Sequence, residues 1–246
     1  MNKDDLTHYL LHLADNALVL GQRNAAWCGH GPVLEQDIAL TNISLDLIGQ
    51  ARNFYQYAAQ RIGNGATEDS LAYFRTEREF INCLLVEQPN GDWGRSILRQ
   101  FLFSAYNDLL FAQLSVHPDE QVAAIAVKSA KEIAYHLRWS SEWVIRLGDG
   151  TDESHKRMID AVSDLWPYTG ELFVPAKFES GSGVDVASLE KSWMEKVSQV
   201  FTEATLAVPS GIFMQTGGKQ GVHTEHLGYL LAEMQYLQRT YPGAQW

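Results

Sequence analysis

The chain has 246 residues, 46% of them apolar and 20% charged, with a formal net charge of −11 at neutral pH. That length buries a substantial core as one large or two small domains, and the acidic balance excludes nucleic acid and anionic membrane surfaces as principal partners. Two cysteines (Cys28 and Cys83), no leader-like start and no apolar run of spanning length predict a cytoplasmic protein without a membrane partner, both thiols reduced and buried.

Apolar residues at three- and four-residue steps predict a first helix over residues 6–27, with Leu10, Leu13, Ala14, Ala17, Leu18, Leu20 and Gly21 on its inner side. Gly29-His30-Gly31-Pro32 ends it. Residues 35–63 then read as about eight turns of helix. Ile38, Leu40, Ile43, Leu45, Leu47, Ile48, Ala51, Phe54, Tyr55 and Ala58 make it apolar nearly all round, which marks it as a central helix. One polar line runs along it: Asn42, Asp46, Gly49/Gln50 and Asn53. A third helix is predicted over 70–87, before the turn Pro89-Asn90-Gly91-Asp92. The fourth, over 93–116, sets Asp108 in a stripe with Ile97, Phe101, Ala105 and Phe111. Asp119 caps a fifth helix running to residue 147. Further helices follow over 154–171, 188–207 and 224–240, separated by an irregular stretch at 173–186 and a glycine-rich loop at 216–221. Long helices, short connections and no strand-like alternation predict one all-α domain over 1–246, an antiparallel bundle. Trp139, Trp143, Trp166 and Trp193 are expected in its core.

A helix bundle that binds two irons takes an inward Glu or Asp from each of four helices, and two of those helices add a His one turn later. Carboxylate oxygens suit iron, and imidazoles complete each coordination shell. The inward acids here would be Asp15, Asp46, Asp108 and Glu132. The histidines do not follow. Gly49 stands three residues after Asp46, and Tyr135 three after Glu132, with His136 at four. The third predicted helix offers Glu79 and, three residues on, Asn82. A complete metal centre is therefore not expected. Asp46 is expected in a buried hydrogen-bonded network and Gly49 at a close helix contact. The competing reading is an independent iron protein using Asp46, Asp108, Glu132 and His136. Lys219, beside Gly217-Gly218, is a weak candidate for binding the phosphates of a CoA ester, against the simpler reading of an ordinary turn. His223-Thr224-Glu225-His226 reads as a helix cap around Thr224, and Trp27-Cys28-Gly29-His30 holds too few ligands for zinc.

Several segments together resemble a known family: Trp27-Cys28-Gly29-His30, Asn42-Ile43-Ser44-Leu45-Asp46-Leu47-Ile48-Gly49-Gln50-Ala51-Arg52-Asn53-Phe54, Leu85-Val86-Glu87-Gln88-Pro89-Asn90-Gly91, Lys131-Glu132 with Tyr135-His136-Leu137-Arg138, Thr216-Gly217-Gly218-Lys219, His223-Thr224-Glu225-His226-Leu227-Gly228, Leu231-Ala232-Glu233-Met234-Gln235-Tyr236-Leu237-Gln238-Arg239, and the terminal Gln245-Trp246. The likeness is to the PaaC subunits of bacterial phenylacetyl-CoA epoxidase and runs nearly end to end, weakest over 175–187. It implies a ferritin-like bundle with extra C-terminal helices and a structural role without catalysis, metal or cofactor in this chain. It also implies a heteromeric complex with a related catalytic subunit, PaaA, which holds the di-iron centre and binds phenylacetyl-CoA. The complex makes the ring-1,2-epoxide with O₂, using electrons from NADPH that arrive through a flavin and iron–sulfur reductase.

Overall fold

The computed structural model describes residues 3–180 and 182–244. Met1-Asn2, Gly181 and the terminal Gln245-Trp246 pair singled out above lie outside the described residues. Among those described there are ten α-helices and no strand: α1 (Lys3–Ala25), α2 (Leu34–Ile62), α3 (Glu68–Tyr73), α4 (Leu84–Glu87), α5 (Trp93–Leu114), α6 (Glu120–Gly148), α7 (Asp152–Leu165), α8 (Leu189–Glu203), α9 (Glu225–Met234) and α10 (Tyr236–Thr240). The chain divides into two compact units. The first is drawn from Met1–Gln88, Ala176–Ser182 and Gly217–Trp246, the second from Pro89–Pro175 and Gly183–Thr216.

In the first unit α1 and α2 form an antiparallel hairpin, with Tyr55 opposite Asp15 and Leu47 and Ile48 opposite Gly21. A Cβ on Gly21 would stand 3.2 Å from Ile48 Cγ1 and 3.3 Å from Leu47 Cβ. Glycine there lets the helices approach closely enough for Ser44 Oγ to donate to the Gly21 carbonyl at 2.7 Å. The predicted inner face of α1 is buried throughout. The central helix is less enclosed than its composition suggests: Leu34, Ile38 and Leu45 are 70%, 53% and 62% exposed. Its neighbours in the unit, α1 and α3, bury Leu40, Ile43, Leu47, Ala51, Phe54, Tyr55 and Ala58 on one side only.

The expected third helix is broken. Helix α3 ends at Tyr73 and α4 begins at Leu84, with a short 3₁₀ turn (Glu77–Glu79) between them. Its backbone groups find side chains instead of helical partners. His12 Nδ1–H donates to the Ile81 carbonyl at 2.6 Å and Asp15 accepts the Ile81 N–H at 2.9 Å. Asn16 Oδ1 accepts the Cys83 N–H at 2.8 Å, and Arg75 donates to the Glu79 carbonyl at 2.9 Å. The last predicted helix also divides, into α9 and α10 at Gln235, whose side-chain amide donates to the Ala72 and Arg75 carbonyls. Cys83 is buried as expected, but Cys28 is exposed, since it lies past the end of α1 in the turn before α2.

The second unit keeps its helices long. Asp92 caps α5 by accepting the Arg95 N–H, and Asp119 caps α6 by accepting those of Gln121 and Val122. Helix α7 stops at Leu165, short of the predicted residue 171, because Pro167 brings no N–H to extend it and a 3₁₀ turn follows. Gly148 allows the close approach of the α8 end: a Cβ there would fall 2.3 Å from the Ala204 carbonyl oxygen. The interior is aromatic. Trp193 packs against Phe173 and Trp166, and Trp166 against Phe201, at centroid distances of 5.2, 5.8 and 6.0 Å, and Trp193 Nε1 donates to the Leu102 carbonyl at 3.0 Å. Trp139 is buried as expected, whereas Trp143 is only half-buried, both edge-on to Trp93.

Candidate functional site

The residues that the sequence offered as metal positions differ in burial. Asp15 and His136 are buried, Asp46 and Glu132 half-buried, and Gly49, Asp108 and Tyr135 exposed. Asp15 and Asp46 share the first unit but do not converge. Asp15 faces Tyr55, which is nine residues from Asp46, or about 13 Å along α2. The expectation for Asp108 fails because the buried stripe of α5 passes through Asn107, Leu110 and Phe111 and leaves Asp108 outside. Gly49, expected at a close helix contact, has nothing within 4 Å of a built Cβ. Along the same polar line Asn42 is exposed, Asn53 half-buried and Gln50 buried. Among the described residues no three His, Cys, Asp or Glu side chains are grouped to hold a metal ion. Within the first unit, Asp15 and Asp46 are too far apart to share one metal ion.

The buried polar residues do converge, but elsewhere in the first unit, and each acid is matched to a cation or donors. Around Asp15, the Arg75 guanidinium binds both carboxylate oxygens, Tyr55 donates its phenol and Ile81 its N–H. Arg75 also donates to the Leu71 carbonyl at 2.6 Å and lies over the Phe80 ring at 4.2 Å. Burial works against its charge, but Asp15 and Tyr55 more than offset this, so the guanidinium is held even more firmly protonated than usual. Burial, reinforced by Asp15, pushes the Tyr55 phenol far above its ordinary range and keeps it a donor.

A second cluster surrounds Glu87. One oxygen accepts the Thr224 N–H at 2.7 Å and its hydroxyl at 2.8 Å. The other accepts Asn82 Nδ2 at 2.9 Å and meets His223 Nδ1 at 2.7 Å. His223 Nε2 lies 2.8 Å from the Phe80 carbonyl, which can only accept, so the ring is an imidazolium donating from both nitrogens. Burial opposes that charge, yet the bond to Glu87 outweighs it and raises the imidazole above its usual value. The Thr224 side chain is therefore drawn to Glu87 and does not cap its own helix as expected.

The third cluster overturns the CoA reading of Lys219. Its ammonium is buried, 3.0 Å from each oxygen of Glu179, and so is not available to a phosphate. His12 Nε2 lies 3.6 Å from Glu179 and accepts from Asn16 Nδ2 at 3.1 Å. Burial, aided by Lys219, lowers the His12 imidazole despite Glu179, so the ring is neutral and Lys219 is the counter-ion.

Sequence reasoning found Asp15, Lys219 and His223 but missed their partners Arg75, Glu179 and Glu87. The separations are 60, 40 and 136 residues, beyond the reach of any local pattern.

The family model described as phenylacetic acid catabolic protein matches residues 1–246. The chain is 52% identical over 248 residues to the C subunit of 1,2-phenylacetyl-CoA epoxidase from Escherichia coli (strain K12), a match covering 99% of this chain and 100% of that one. The chain therefore belongs to the phenylacetic acid catabolic protein family, whose fold is ferritin-like and helical.

Proposed function

We propose that this chain is the structural, non-catalytic subunit of a multicomponent di-iron monooxygenase that epoxidises the ring of phenylacetyl-CoA in aerobic phenylacetate breakdown. Full-length identity of 52% to a protein named as the C subunit of such an epoxidase supports the substrate and the complex. The observation that carries the structural role is Asp15: the innermost acid among the predicted positions already has both oxygens taken by Arg75, Tyr55 and the Ile81 N–H. A metal there would have to displace a buried guanidinium, and Gly49 has no side chain to assist it.

On this reading the irons, the oxygen chemistry and the phenylacetyl-CoA belong to the catalytic subunit PaaA, and a reductase supplies the electrons. This chain contributes a helical scaffold whose first unit is held by buried charge pairs. Its compartment would be the cytoplasm. No helix among the described residues is long and apolar enough to cross a membrane.

The test is co-expression with the catalytic subunit, followed by native mass and metal analysis of the complex and of this chain alone. The expected result is a stable complex whose iron is absent from the isolated chain. Two irons per isolated chain, or failure to form any complex, would overturn the proposal.

A further inference from the structure

Glycine follows asparagine at two places in this chain, Asn64-Gly65 and Asn90-Gly91. Such a pair can react with itself. The glycine's backbone nitrogen, once deprotonated, adds to the side-chain amide carbon of the asparagine, and no Cβ on the second residue obstructs the approach. The ring closes only when the asparagine side chain swings over that nitrogen by rotation about its own Cα–C bond. The fold therefore decides which pair reacts.

The two pairs are held differently. Asn90 is half-buried, and its Oδ1 accepts from the buried Arg99 guanidinium at 2.7 Å while its carbonyl accepts the Ser96 hydroxyl at 3.0 Å. Gly91 is crowded too, since a Cβ there would stand 2.7 Å from Arg95 Cδ. Rotation at Asn90 would take an acceptor from a buried charge, which is costly.

Asn64 and Gly65 are exposed, just past the end of α2, in a turn closed by the Ala66 N–H on the Gly63 carbonyl at 3.0 Å. Gly63, Asn64 and Gly65 have φ of 72°, 53° and 78°, and nothing lies within 4 Å of a Cβ built on either glycine. Among the described residues neither the Asn64 side chain nor the Gly65 N–H has a hydrogen-bond partner. The attacking nitrogen is free, the side chain is unanchored, and one hydrogen bond holds the turn.

We propose that Asn64 is a site of spontaneous deamidation, and that Asn90 is protected from the same reaction by its bond to Arg99. The Gly65 nitrogen gives its proton to solvent base and bonds to Asn64 Cγ. The Cγ–Nδ2 bond breaks, ammonia leaves, and a five-membered succinimide remains. Water then adds to one of the two ring carbonyls and breaks its bond to the nitrogen. Attack at the side-chain carbonyl gives aspartate, and attack at the main-chain carbonyl gives a β-linked isoaspartate. Nothing is oxidised or reduced, and water is the sole co-reactant. Either product puts a new carboxylate beyond the C-terminal end of α2, where the helix dipole disfavours negative charge. Isoaspartate also adds a methylene to the backbone joining α2 to α3. The inference does not depend on the function proposed above.

The experiment holds the full-length chain at mildly alkaline pH in heavy-oxygen water. Both Asn-Gly peptides are then followed by mass spectrometry, with fragmentation that separates aspartate from isoaspartate. In the folded chain Asn64 should lose its amide at least tenfold faster than Asn90, with one heavy oxygen entering per event and both products formed. In urea the two sites should react at similar rates. Asn64→Gln, whose longer side chain would have to close a six-membered ring, should leave that position unconverted and circular dichroism unchanged. A folded chain in which Asn64 reacts no faster than Asn90, or an unfolded chain that keeps the same preference, would overturn the proposal.

Discussion

In the first unit Asp15, Glu87 and Glu179 are at most 1% exposed, each set against a cation, whereas in the second the centre is a group of rings around Trp193. The ion pairs described in the second unit, such as Arg157 with Glu153, lie at its surface. The difference follows from how each unit satisfies its backbone. The core of the second is built from the long helices α5 to α8, which bond internally, so side chains of any shape can fill the space between them, and its irregular segment 204–216 is mostly exposed. The first includes segments 74–83, 176–180 and 217–224, which are largely outside long helices, and their backbone groups need side-chain partners. Charge pairs meet that need only when complete, because a half-removed pair leaves a buried charge stranded.

The largest effects should come from emptying either centre. Trp193→Ala is expected to cost about 3–5 kcal/mol through lost burial and the cavity left behind. Arg75→Met should cost about as much, ~3–5 kcal/mol, by stranding Asp15. Urea unfolding of each variant at neutral pH measures both. If Arg75→Met unfolds with the wild-type midpoint, Asp15 does not depend on its guanidinium and the comparison fails.

Lys219→Met should also destabilise by about 3–5 kcal/mol. Adding Glu179→Gln removes the stranded charge and keeps an oxygen for the Ala176 N–H, which Glu179 accepts at 2.7 Å. The double variant should therefore be more stable than Lys219→Met alone, a rescue that no second substitution in the aromatic centre should match. Equal stabilities for single and double variants would show that charge is not what Lys219 supplies.

Titration should next distinguish two buried clusters of the first unit. The folded His223 imidazole is raised above its ordinary 6.5. Its contribution is therefore complete below that value and lost as pH rises through the folded value. His12 is lowered, so its contribution is complete above 6.5 and lost as pH falls through its own folded value. The pH dependence of wild type minus His223→Gln isolates the first: a stability difference that shrinks on going from pH 6 to pH 9. A difference that stays flat or grows with pH would mean that His223 is neutral in the fold.

The contrast also explains what could be read in advance. Helices α1, α2, α5 and α6 were legible because their apolar steps, the turn at Gly29-His30-Gly31-Pro32 and the cap at Asp119 are local features. The break between α3 and α4 was not. Leu71, Phe74, Ile81 and Leu85 lie at helical spacing, but the backbone there is taken by His12, Asp15 and Asn16, more than 60 residues away. The burial of Asp15 was legible from its place on the inner face of α1, while its partner Arg75 was not. Asp108 misled for the opposite reason, since it stands in an apolar stripe whose buried edge passes one residue away.

The smallest expected effect returns to α2. Gly49 is helical and exposed, and a built Cβ meets nothing within 4 Å. Glycine at such a position gives the unfolded chain more freedom to lose on folding and fills no space in return, so Gly49→Ala should stabilise the isolated chain by about 0.5–1 kcal/mol. Thermal unfolding of the chain alone measures it, and a lowered midpoint would mean that some group packs against Gly49 in the folded chain after all. Gly49→His extends the test to the metal question. It restores an imidazole one turn after Asp46, yet Asp15 is about 13 Å along the hairpin and bound to Arg75. No iron should be retained after dialysis of this variant, because the other predicted acid of this unit, Asp15, is already held by Arg75.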